Sequence, residues 1–63
     1  MTKIILDLPR DEAMALAQMC KRFTYEDAVC FANPHDGGAE RDAILEGTST
    51  LQRALADAGF APR

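Results

Sequence analysis

Lys3-Ile4-Ile5-Leu6-Asp7-Leu8, closed by Pro9, is the stretch on which the architecture turns. Period-two alternation sets Ile4, Leu6 and Leu8 on one side of an extended chain and Lys3, Ile5 and Asp7 on the other. The first side is wholly apolar, the pattern of a strand. A lone strand can neither satisfy its backbone donors and acceptors nor bury that side, and the sequence holds no second run of the kind. The simplest mate is the same strand of a second copy, antiparallel about a two-fold axis. The expectation is a mainly α chain with one N-terminal strand, in the order β-α-α-α, forming a homodimer through Ile4, Ile5, Leu6 and Leu8.

Working outward, the strand covers residues 3 to 8 and a first helix residues 9 to 22. Pro9 suits the first helical position, where its missing donor costs nothing. Asp11 and Glu12 meet the positive end of the helix dipole, and Lys21 and Arg22 the negative end. Ala13, Leu16, Ala17, Cys20 and Phe23 recur at three- and four-residue spacing as an apolar stripe, flanked by Met14 and Met19 as gap fillers. A second helix, 25 to 32, opens with Thr24 and Asp27 as an acidic capping box and with Phe23 and Ala28 as a hydrophobic staple. Residues 33 to 38, Asn-Pro-His-Asp-Gly-Gly, form a loop. A third helix covers 39 to 58, with Ile44, Thr48, Leu51, Leu55 and Ala58 on one side and Gly59 as its terminator. Gly47-Thr48-Ser49-Thr50 strings weak helix formers together, yet one continuous helix is expected, Gly47 being either a tolerated weakness or a point of close backbone approach.

Composition bounds the class. A chain of 63 residues, 48% of them hydrophobic, is a single small domain. A core of that size rarely supplies more than roughly 3–5 kcal/mol without a disulfide, a metal or a partner subunit. No apolar run is long enough to span a bilayer, and no basic segment followed by a long apolar stretch opens the chain, so a cytoplasmic protein without membrane association is expected. Cys20, Cys30 and His35 are too few and too widely spaced for a zinc site, and the two thiols read as small packed hydrophobes. No cofactor is expected. His35 beside Asp36 in a glycine-rich loop lacks the fixed geometry that proton transfer requires, no nucleophile is placed by sequence, and no catalytic residue or enzymatic activity is assigned.

Two resemblances add to this. Leu8-Pro9 followed by Asp11-Glu12, within residues 3 to 32, resembles the ribbon-helix-helix fold, in which two chains intertwine through their strands. Over nearly its full length the chain is also similar to a group of small proteins of proteobacterial genomes and prophages that carry no assigned activity. That similarity rests on Leu8-Pro9, Asp11-Glu12-Ala13, Ala15-Leu16-Ala17-Gln18 and the ending Leu55-Ala56-Asp57-Ala58-Gly59-Phe60-Ala61-Pro62-Arg63.

The first resemblance implies DNA binding through the outward strand positions Lys3, Ile5 and Asp7, with Thr24 at a phosphate beside the second helix. The residue chemistry argues against it. Only Lys3 suits a base edge, Asp7 faces phosphate repulsion, and Glu26 and Asp27 crowd the phosphate position with negative charge. A net charge of −3 and a pI of 4.8 forgo the counterion-release contribution to DNA affinity. The acidic balance suits a basic protein surface instead, with Glu26, Asp27, Asp36, Glu40, Asp42 and Glu46 as candidate partner-binding residues. The functional expectation is a small acidic protein-binding module of phage or prophage type, in one version an inhibitor of a host defence complex in the manner of anti-CRISPR proteins. The alternative is a ribbon-helix-helix transcriptional regulator or antitoxin.

Overall fold

A computed structural model describes residues 2–60, and within them the chain folds as three helices: α1 at Arg10–Arg22, α2 at Tyr25–Phe31 and α3 at Ala39–Asp57. No strand forms among the described residues, which corrects the β-α-α-α, ribbon-helix-helix expectation to an all-α architecture. Residues 2 to 9 run as an irregular arm. Ile4 and Leu6 are exposed and Ile5 is 82% exposed, while Leu8 alone of the four residues assigned to the dimer strand is half-buried, against the core. The alternation records which side of the arm is apolar; a ladder also requires a neighbouring strand, and none forms among the described residues.

Pro9 stands one residue earlier than expected, as the N-cap of α1 in an extended conformation (φ −55°, ψ 153°), its carbonyl accepting from the Ala13 amide at 3.0 Å. Asp11 and Glu12 lie in the first turn and Lys21 and Arg22 in the last, both matching the sign of the helix dipole. The buried stripe of α1 consists of small residues, Ala13, Ala17 and Cys20. They let α1 approach α3 closely, where Leu55 completes the buried cluster and Leu8, Leu16, Leu51 and Phe60 pack around it. Desolvation by burial pushes the Cys20 thiol above its ordinary value, whereas Cys30 is exposed.

The start of α2 is built by its own sequence. The Thr24 hydroxyl accepts from the Asp27 amide at 3.2 Å, and the Asp27 carboxylate accepts from the Thr24 amide at 2.9 Å and from its hydroxyl at 3.0 Å. At the other end the Phe31 ring stacks on Phe23, centroids 6.4 Å apart. In the loop that follows, the Asn33 side chain accepts from the His35 amide, and Asp36 accepts from the amides of Gly38 and Glu40 at 3.0 and 2.9 Å. The two bonds to Asp36 satisfy the Gly38 and Glu40 amides, two of the donors that α3 leaves open at its beginning.

α3 is the central element, with both α1 and α2 packed on it. It continues without a break through Gly47, where an added Cβ would meet nothing within 4 Å. That glycine is therefore a local weakness and not a point of close approach. The helix ends in a Schellman motif: Phe60 N–H donates to the Leu55 carbonyl at 2.9 Å and Gly59 N–H to the Ala56 carbonyl at 3.0 Å, with Gly59 left-handed at φ +96°. Phe60 is thereby returned to the core and lies beneath the Arg10 guanidinium, whose carbon is 5.7 Å from the ring centroid.

Candidate interaction surface

The described residues leave apolar surface open in a groove beside α3 and on α2. The first is a groove of about 770 Å³ between the N-terminal arm and α3, walled by Ile4, Leu6 and Leu8 and floored by Gly47, Thr50, Leu51 and Ala54. The second is the outward side of α2. That helix spans two turns and buries only Ala28, so Tyr25, Glu26, Val29 and Cys30 all face out, with Phe31 71% exposed at its end. At 100° per residue Tyr25 and Val29 share a face with Glu26 beside them, a mixed apolar and acidic patch.

Arg41 joins α2 to the start of α3. Its guanidinium lies over the Tyr25 ring at 5.1 Å and pairs with the Asp42 carboxylate at 3.0 Å. The hydrogen bond to Asp42 holds the guanidinium above its ordinary pKa, helped by the charges of Asp42, Tyr25 and Asp36 and opposed by some desolvation. The structure thus brings Tyr25, Asp36, Arg41 and Asp42 to one corner of the molecule.

The six acidic residues proposed for partner binding divide. Asp27 closes the α2 cap, Asp36 the loop, Glu40 accepts from the Asn33 amide at 3.2 Å, and Asp42 holds Arg41. These four are engaged in shaping the chain. Glu26 stands on the outward face of α2, and Glu46 is exposed on α3. Among the residues named for DNA contact, Lys3, Ile5 and Asp7 lie on the irregular arm, and the Thr24 hydroxyl is occupied in the cap. Ile5 and Asp7 present no flat ribbon for a major groove, which removes the geometry that the resemblance implied.

Tyr25 and Val29 were not singled out as surface residues by the sequence. Val29 belongs to a short apolar segment of the sequence, Ala28, Val29, Phe31 and Ala32. The available signal was length: a seven-residue helix anchored by a single alanine cannot bury two sides. Met14 and Met19, read as gap fillers, are exposed. Among the described residues no group of three or more His, Cys, Asp or Glu side chains is gathered to hold a metal ion, and no helix is long and apolar enough to cross a membrane.

An all-α protein whose described residues form three helices with open apolar surface is the class that the fold defines. The chain belongs to a family of unknown function (DUF7706), whose model matches residues 1–63. No curated protein and no solved structure matches it.

Proposed function

We propose that the chain is a protein-binding module that docks through the outward face of α2, with Tyr25 and Val29 as the apolar centre and Glu26 as the charged flank. The observation that carries this reading is the burial of α2: one small side chain holds the helix inward, while its larger ones face out. An exposed apolar patch rimmed by charge is the usual form of a protein interaction site. The partner that fits is a protein surface with an apolar pocket and a basic rim, since a net charge of −3 speeds encounter with such a surface and disfavours a polyanion. The reading involves no catalytic step and no cofactor.

A concrete version follows the resemblance to prophage-encoded proteins. There the module works in the cytoplasm as an inhibitor of a host defence complex, in the manner of anti-CRISPR proteins, covering a basic surface that otherwise holds nucleic acid.

The test compares the immobilised chain with its Val29→Asp variant in a bacterial lysate, with helicity verified by circular dichroism. A basic protein retained by the original chain, released by salt and lost in the variant is the expected result. Equal retention by both, or retention of nothing, contradicts the reading. Salt-sensitive, sequence-selective retardation of a DNA duplex would assign the chain to nucleic acid instead.

A further inference from the structure

The N-terminal arm and α3 are the two sides of one groove. Thr2, Ile4, Leu6, Asp7 and Leu8 line it from the arm, while Lys3 and Ile5 do not. The alternation of the sequence is thus kept on the arm, every even-numbered residue from Thr2 to Leu8 lining the α3 side. Only the inner end of the arm is fixed. Leu8 packs around the buried cluster and Pro9 is the N-cap of α1. Outward from that anchor, Leu6 and Ile4 are exposed, and so are Thr50 and Ala54 on the α3 side of the gap.

We propose that the arm is a strap that closes onto α3, turning about Leu8 and Pro9 so that Ile4 and Leu6 fill the groove over Thr50, Leu51 and Ala54. The tether names the occupant. Leu8 already packs on the side that Leu6 and Ile4 continue, so closing extends an existing contact by two alternate positions, and a slip of one residue would put Ile5 and Asp7 there instead. An attached segment also forgoes the translational and rotational cost that a separate molecule would meet, leaving only the ordering of its own few residues. That ordering cost and the gain from burying two aliphatic side chains are of comparable size, so the open and closed arms interconvert and each is populated. The strap is a gate. Whatever enters this side of α3 from outside has to displace Ile4 and Leu6 first. No α2 residue lines the groove, so the strap stands or falls separately from the docking face proposed above.

The test reads Ile4 against Ile5. With the arm open the two are nearly equally exposed, at 74% and 82%, and a soluble paramagnetic probe should relax their δ1 methyls alike; closing shields Ile4 alone. In the chain labelled at its isoleucine methyls, a neutral gadolinium chelate is expected to relax Ile4 about twofold less than Ile5, as when the arm is closed about half the time, and dilution should leave that ratio unchanged. Ala54→Glu, a change at an exposed helical position that puts a charge into the groove, is expected to make the two methyls relax alike with unchanged helicity. Equal relaxation in the parent chain, shielding of Ile4 that persists in Ala54→Glu, or shielding that disappears on dilution, the sign of a second copy in the groove, would overturn the proposal.

Discussion

Phe60 is tied to Leu55 twice, by its backbone amide donating to the Leu55 carbonyl at 2.9 Å and by its ring packing against the cluster that Leu55 completes. The link depends on Gly59, whose φ of +96° costs an L side chain about 1–2 kcal/mol. Gly59→Ala is therefore expected to lower the thermal midpoint by about 4–8 °C per kcal/mol, read by circular dichroism. An unchanged midpoint would show that the Schellman turn contributes nothing.

Gly47 should behave in the opposite way. It sits within α3 at an ordinary helical conformation with open space where a Cβ would lie. Gly47→Ala is expected to stabilise the fold by about 0.5–1 kcal/mol in urea titrations. Destabilisation there would mean that the backbone is more crowded at this point than the structure has it.

The capping box gives a local prediction. Thr24→Ala removes the acceptor for the Asp27 amide and leaves α2, a helix with one buried residue, without its start. A loss of about 1 kcal/mol is expected, together with faster amide exchange in residues 25 to 31 than in α1. Uniform exchange across the three helices would contradict the weak anchoring of α2.

The two thiols should react differently. Native chain treated with iodoacetamide is expected to be alkylated at exposed Cys30 and protected at buried Cys20, with both modified in denaturant, as read by peptide mass spectrometry. Burial raises the folded-state pKa of Cys20 above that of the unfolded chain. Its contribution to stability is thus complete below the ordinary thiol value and declines as the pH rises through and beyond it, a loss that Cys20→Ala should abolish.

Ile5→Pro separates the arm from a strand. In a ladder the missing amide would dissociate or unfold the protein; on an arm exposed and free of backbone pairing it should change stability by less than about 0.5 kcal/mol.

Local features were legible in the sequence because they are built by neighbours: the charges at both ends of α1, the Thr24–Asp27 box and the glycine at the end of α3 each act within one turn. The strand was not. Alternation at Ile4, Leu6 and Leu8 specifies an apolar side without supplying the second strand that would turn it into a sheet, and the structure sets that side along the groove beside α3, with Leu8 half-buried against the core. The acidic residues show the same limit. Asp27, Asp36, Glu40 and Asp42 look like surface charge in a linear reading, and only their distances to backbone amides and to Arg41 show that they are occupied in holding the fold. Val29 shows a further limit, since hydrophobicity alone does not reveal that α2 has one buried position.

The most direct test of the central claim, that α2 presents a docking face for another protein, is site-specific photo-cross-linking from position 29 in living cells. A benzophenone side chain there is expected to yield a discrete adduct heavier than the chain by the mass of one other protein, absent when the same group is placed at exposed Asp57 on α3. Recovery of the chain alone from position 29, or the same adducts from both positions, would contradict it.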